Sequence, residues 1–507
     1  MNEETIDPLQ NNIRAATTIV NTVKSTLGPM GRDKMMVDTG GDTIITNDGA
    51  TILRELDVGH PGAKMMVDIS KTQESLCYDG TTSTVVFSGQ LLKESENLFS
   101  KGLHPNLVAK GYNRAARMAI EHLDTLATDN FDPSADEDTL IHNIAATAIT
   151  GKSLEAASDI VARLCVEAVQ TAGDADSVKV MSLSGGALHD SYFFNGYVVN
   201  KDSVLDTQIE LTEKGNVSIL LMNNGLEPTK EKENVQMQFT DVQGYTAFKD
   251  GDKDDLLDKA KRISTMMTNG GVVFVRDGCT DEVVNYLHKQ DIAVVRRLPE
   301  STMKGLSSTL GISIAQNPDD IENCAFGVIE KIKHDDIYYL FVSSKTHESK
   351  QSTLILRGAS PSTLDEVARG FDDALGVVSI IMNGGRMVWG GGSTYVSMAN
   401  HLRNNSASVE GRGQMAINAF ADALEVIPAT IAENAGHDPL DCILSLRHAV
   451  NEGHIWFGPD VEEGGIANMM DLGVVEPLDL VKQAVLSATE VTSAILKIDD
   501  IIAKRGE

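Results

Sequence analysis

Apolar residues recur at Ile13, Ala16, Val20, Val23 and Leu27. That three-and-four spacing predicts an amphipathic helix, and the LGPMG that begins at Leu27 supplies its stop. KMMVDTGGDTIITNDG, from Lys34, then predicts two short strands joined at Gly40-Gly41, with an acidic turn at Asn47-Asp48-Gly49. Helical patterns dominate next, most clearly in HPNLVAKGYNRAARMAIEHL from His104, where a Pro-Asn start precedes a long amphipathic run. Between about Val217 and Gly358 the texture changes. Short apolar runs (VSILLM, GVVFV, IAVV, YYLFV, TLILRG) alternate with helical segments, as an α/β layer requires. Inside this region the stretch from Thr229, TKEKENVQMQFTDVQGYTAFKDGDKDD, is polar and marked by glycine, with Tyr245 and Phe248 as isolated aromatics. It reads as a long loop with a functional task, since unstructured insertions of that length in compact domains usually have one. Helices return after about Ser362 and continue to the end.

Candidate chemistry begins at DGTTSTVVFSGQLL, from Asp79. An acid, a glycine and several hydroxyls ahead of an apolar run exceed what helix capping requires. They suit an anion: N–H groups at a helix start hold phosphate, glycine permits approach, hydroxyls donate, and a carboxylate holds Mg²⁺. Two other readings stay open from the residues alone, Asp79 or Thr81 as a plain N-cap and, because of the β-branched residues, a strand. Two later features share this character. GFDDALGVV carries Asp372 and Asp373 in a helical pattern, and VWGGGSTYVSM places Gly390, Gly391 and Gly392 just before another helix. Each also has an ordinary explanation, as solvated helix surface or as a loop.

Bulk properties narrow the class. A chain of 507 residues exceeds one ordinary core and suggests about three domains. Forty-three basic against 73 acidic residues give a net charge of -30, which argues against a general nucleic-acid binder. Five scattered cysteines form no C-x-x-C, so neither a zinc knuckle nor a disulfide framework is suggested, and a reducing compartment fits. The acidic N-terminus has no apolar signal core, and no run of about 18 apolar residues occurs, so a cytoplasmic protein without membrane partners is expected.

TLGPMGRDKMMVD, TNDGATIL, DGTTSTVV, TAITGK, FDDALGVV, GGGST, ENAGHDPLD, VVEPL and KIDDII occur in this order. Together they resemble the group II chaperonins, the archaeal thermosome and the eukaryotic cytosolic chaperonin, from about Asn11 onward. The resemblance implies an ATP-driven protein-folding machine of two stacked rings, acting on non-native client proteins and built from like or unlike subunits. It implies a mainly helical equatorial ATPase domain at 1–135 with 386–507 and a small α/β intermediate hinge at 136–198 with 353–385. The third domain is an α/β apical domain at 199–352 with a helical lid protrusion at about 229–267. ATP or ADP and Mg²⁺ are the implied cofactors. Leu27, Gly28 and Pro29 would line the nucleotide, Asp79 would hold Mg²⁺, and Gly80, Thr81, Thr82 and Ser83 would take the phosphates. Gly391 and Gly392 would pass along the ribose and base, with Glu476 closing that side. Asp48 and Asp373 would position or deprotonate the attacking water, and Lys152 would sense the terminal phosphate. Asp48 and Asp373 are far apart in sequence, so hinge closure would bring them together. Clients would touch apical surfaces such as the helix around Val283, Val284, Tyr286 and Leu287, although core packing is the ordinary role for any one of these.

Several residues depart from the family pattern. Tyr78 stands where glycine usually precedes the magnesium aspartate, and a ring there would lie close to the phosphates. Met30 and Arg32 replace a lysine and a methionine. Tyr395 replaces a glutamate that commonly helps neighbouring subunits touch. Val481 stands where a lysine often reaches the nucleotide, with Lys482 adjacent as a partial substitute. The N-terminus starts without the usual leading strand. These departures imply a divergent paralogue and keep a second function in view, a nucleotide-binding but weakly hydrolysing structural subunit of a mixed ring. A metabolic kinase using the same phosphate loop has little support, since the central region looks like a lid-bearing client surface.

Overall fold

The computed structural model describes residues 8–37, 40–41, 43–129, 137–152, 158–200, 217–227, 242–321, 324–334 and 337–500. The chain divides into two compact units, Met1–Val166 with Gly358–Glu507 and Glu167–Arg357.

The first unit joins the two ends of the chain through one helical core. Ile13, Ala16, Val20 and Val23 are all buried on Pro8–Val23, so the periodic stripe became the buried face. It packs with Pro61–Cys77, Thr81–Ser100 and Pro105–Asp129 from the first half. Ser393–Ser406, Gly413–Leu424 and Leu478–Ile495 join them from the second. Phe87 meets Phe420 edge-on at 5.4 Å, a contact between the two chain ends at the centre of this core. Gly413–Asn434 is the one described helical stretch long and apolar enough to cross a membrane, but its apolar side is spent on this core, where Ile417, Phe420 and Leu424 are fully buried. The two short strands expected near the N-terminus pair antiparallel as Lys34–Val37 with Thr43–Thr46.

The second unit holds a six-stranded mixed sheet in the order Tyr197–Asn200, Ile337–Ser344, Ala325–His334, Val217–Met222, Gly271–Val275, Ile292–Val295. The last three strands run parallel, with Leu220 opposite Val273, and the rest pair antiparallel. TLILRG does not join it. Ser352–Gly358 instead lies at the centre of a three-stranded sheet between Val178–Ser184 and Tyr192–Phe194.

Of the polar insertion, residues 229–241 lie outside the described residues. The remainder is not a loop: Val242–Met266 is a helix, and Leu256, Ala260, Ile263 and Met267 from its C-terminal half and end are buried against the sheet. Their four-three-four spacing is a helix stripe, and it makes the end of the expected lid part of the core. Val283 and Leu287 are likewise buried in that core, with the partly buried Val284 and Tyr286 packed against it, so this face of Asp281–His288 helps hold the unit together.

Candidate functional site

Thr81–Ser100 settles the ambiguity of the DGTTS stretch in favour of a helix. Its N-cap is Gly80, at φ 78°, which contributes no side-chain cap. The left-handed conformation explains the glycine, and a Cβ there would also run into the Leu480 side chain. Neither Asp79 nor Thr81 is the cap. The helical ladder starts with the Thr84 N–H on the Gly80 carbonyl, which leaves the N–H groups of Thr81, Thr82 and Ser83 outside it. A second helix, Ser393–Ser406, starts in the same way: Gly392 is its N-cap at φ 82° and again supplies no side chain.

Both helix starts open onto one cavity of about 450 Å³. Leu27, Gly28, Pro29, Asp48, Asp79, Gly80, Thr81, Thr82, Ser83, Lys152, Gly391, Gly392 and Glu476 all line it. Asp373 does not; it reaches the cavity through Lys152, whose ammonium is ion-paired to the Asp373 carboxylate. Sequence reasoning missed a further set of walls, among them Asn47, Thr147, Gly151, Met469 and the acidic segment Asp460 to Glu463. Asn47 had a signal, since it sits in the acidic turn: its side-chain amide donates to the Gly151 carbonyl at 2.6 Å and ties that turn to the loop carrying Lys152.

Asp48 is the N-cap of Gly49–Glu55 and accepts from the N–H groups of Ala50 (3.2 Å) and Thr51 (2.8 Å). The Thr81 hydroxyl reaches it at 3.4 Å. Its carboxylate is therefore fixed in direction. For Asp373, burial lifts the carboxyl well above the usual range; Lys152 opposes the shift, and the Asp79 and Asp48 carboxylates add to it. Burial works against the charge on Lys152, but the same three carboxylates hold it on. Glu476 is pushed up to about 7 by burial and by the nearby Asp79, against the Gly391 N–H.

Lys152 is the only basic residue among the described lining residues, against six carboxylates. Such a cavity attracts a polyanion only when the positive ends of its helices and a bound cation offset those acids. The donor set fits Mg²⁺. One carboxylate, Asp79, stands at a helix start rich in N–H and hydroxyl donors, and Mg²⁺ is usually held by one or two carboxylates plus phosphate oxygens. Among the described residues no group of three or more His, Cys, Asp or Glu could hold a metal on protein ligands alone.

The departures fall into place unevenly. Tyr395 is 3% exposed inside the helical core and lines the cavity, where burial, helped by Glu476, pushes its phenol up and keeps it neutral. Lys482 does not substitute for a lysine at 481. Its ammonium turns to Asp124 at 3.7 Å, a carboxylate also paired with Arg386, while Val481 is fully buried. Met30 and Arg32 are not among the lining residues. Nor is Tyr78; its ring packs on Gly376.

The sequence profile of the TCP-1/cpn60 chaperonin family matches residues 19–505. A thermosome subunit of Methanopyrus kandleri is 40% identical, over 98% of this chain and 92% of that protein. The thermosome subunit alpha of Halobacterium salinarum is also 40% identical, over 98% of this chain and 88% of its own length. A thermosome subunit of Methanocaldococcus jannaschii is 38% identical, over 98% and 92%. With the profile matched across nearly the whole chain and relatives of this identity covering both chain ends and the middle, the chain belongs to the TCP-1/cpn60 chaperonin family, as a subunit of the group II type.

Proposed function

We propose that this chain is an ATP-hydrolysing chaperonin subunit that encloses non-native proteins in the cytoplasm, in a stacked double ring with other subunits. The observation that carries the reading is the single cavity at which two glycine-capped helix starts, Asp48, Asp79 and Lys152 converge, with Asp373 joined through its ion pair to Lys152, from five separate segments of the chain. In this reading the equatorial domain is 1–135 with 386–507, the hinge 136–198 with 353–385 and the apical domain 199–352, its lid beginning at about 229.

Asp79 holds the magnesium ion, which when bound neutralises charge on the phosphates. The N–H groups and hydroxyls of Thr81, Thr82 and Ser83 bind the phosphate oxygens, with Gly80 permitting the approach. Leu27, Gly28 and Pro29 cover one side of the nucleotide, and Gly391, Gly392 and Glu476 the ribose and base side. Asp48, clamped by two backbone N–H groups, orients the water. Asp373 takes its proton, since a carboxyl lifted by burial is a better base near neutral pH than an exposed one. Lys152 lines the cavity and pairs with Asp373, so it links occupancy of the terminal phosphate site to the helix Pro361–Met382 that carries Asp373. Hydrolysis and hinge movement are then one event, drawn by the higher affinity of nucleotide for the closed state.

Negative-stain images of the purified protein with and without MgATP test the assembly. Double rings that close with nucleotide are expected. Particles that stay monomeric in both conditions contradict the reading and leave a helper subunit that needs partners.

A further inference from the structure

Tyr78 and Gly376 each break a local rule, and the two breaches meet. Tyr78 ends the helix Pro61–Cys77 in the left-handed conformation at φ 63°, a region that bulky side chains rarely adopt. Gly376 sits inside the long helix Pro361–Met382, where glycine weakens a helix relative to alanine. A Cβ built on Gly376 would fall on the Tyr78 ring. The ring therefore occupies the space that a side chain at 376 would take, as a knob seated on bare backbone. Strain of this kind persists only where the surroundings enforce it, and it gathers at functional positions.

The place of the contact gives it a task. Asp79 follows Tyr78 directly, and its backbone N–H donates to the Cys77 carbonyl at 2.7 Å, so ring and carboxylate hang from one tight turn. On the other side Asp373 lies one helical turn before Gly376. The contact thus joins the turn that bears the proposed magnesium ligand to the helix that bears the proposed base. The Lys152–Asp373 ion pair is a second tie on that helix.

We propose that Tyr78 is a positioning residue that seats the Asp373 helix against the Asp79 turn and so sets the spacing of the two acids. The proposal rests on the hydrolytic reading of the site. It makes Tyr78 a compensated pair with Gly376 and not an obstruction beside the phosphates.

Tyr78→Gly relieves the backbone strain but removes the knob. Steady-state phosphate release should then fall in kcat by about ten- to a hundred-fold, the scale of a displaced catalytic group, with KM for ATP within about three-fold. Tyr78→Phe keeps the ring and should retain at least about half of kcat. Gly376→Ala should lower kcat in the parent protein and cost nothing further once Tyr78 is glycine, because the two substitutions then break one contact. Additive effects of Tyr78→Gly and Gly376→Ala, or a loss in KM alone, overturn the proposal. Hydrogen exchange across 366–380 gives an answer independent of catalysis: faster in Tyr78→Gly, parental in Tyr78→Phe. Equal exchange in all three proteins overturns the latch even if Asp373→Ala still stops hydrolysis. If the parent protein released no phosphate at all, the hydrolytic reading would fail while the exchange result still decided the contact. Tyr78→Asn, which tolerates the left-handed turn, replaces Tyr78→Gly in every arm should the glycine variant misfold.

Discussion

Glu476→Gln isolates the most unusual electrostatic feature of the cavity. The carboxyl is partly buried beside Asp79, and its pKa rises from the ordinary 4.5 to about 7. The folded chain therefore keeps this proton more tightly than the unfolded chain does. Below 4.5 both states hold it and the group's full contribution to stability is present; as pH rises through about 7, that contribution is lost. At roughly 1.4 kcal/mol per pH unit, the whole passage costs the folded state about 3 kcal/mol. Glutamine has no proton to lose, so the variant should gain on the parent by about 2–3 kcal/mol between pH 5 and pH 8. Urea unfolding without nucleotide or Mg²⁺, followed by tryptophan fluorescence at fixed protein concentration, reads this directly. The chain has two tryptophans, Trp389 and Trp456, both in the helical unit, and Trp389 pairs across the strand with Val475 next to Glu476. A parent-to-variant difference that stays constant over this pH range would refute the reasoning, since Glu476 would then titrate like an exposed acid.

Other perturbations have equally definite outcomes. Lys152→Ala leaves the partly buried Asp373 facing Asp79 and Asp48 without a cation, and it should destabilise the helical unit by about 3 kcal/mol in the same urea assay. Asp373→Asn in that background should recover a large part of the loss. Gly80→Ala forces a side chain into a left-handed turn and toward Leu480; it should cost about 2–4 kcal/mol in stability and abolish detectable ADP binding by calorimetry. Chelating Mg²⁺ should remove ATP binding from the wild-type protein in the same calorimeter, because six cavity carboxylates otherwise face the phosphates with Lys152 as the only basic residue among the described lining residues.

What the sequence revealed depended on whether the deciding contact was local. The stripe through Ile13, Ala16, Val20 and Val23 is a local pattern, and it folds as it reads. DGTTS was ambiguous because Thr and Val suit strands, and the decision came from a left-handed Gly80 backed by Leu480, four hundred residues away in the chain. Polar, glycine-marked composition made the segment of the helix Val242–Met266 read as a loop, although Leu256, Ala260, Ile263 and Met267 carried a helical period; a helix there was expected only from the family resemblance. Resemblance, and not spacing, nominated the cavity residues, and it misled where a side chain's partner was remote. Tyr395 turned inward beside Glu476 and Lys482 outward to Asp124, neither of which adjacency in sequence foretells.

The central claim is that carboxylates from remote segments act together on a magnesium-bound triphosphate. Phosphate release and ATP affinity, measured side by side on the wild-type protein and Asp373→Ala, test it most directly. Magnesium-dependent release that falls at least about a hundred-fold in the variant, with ATP affinity within a few-fold, is the predicted result. An unchanged rate in Asp373→Ala would contradict the account.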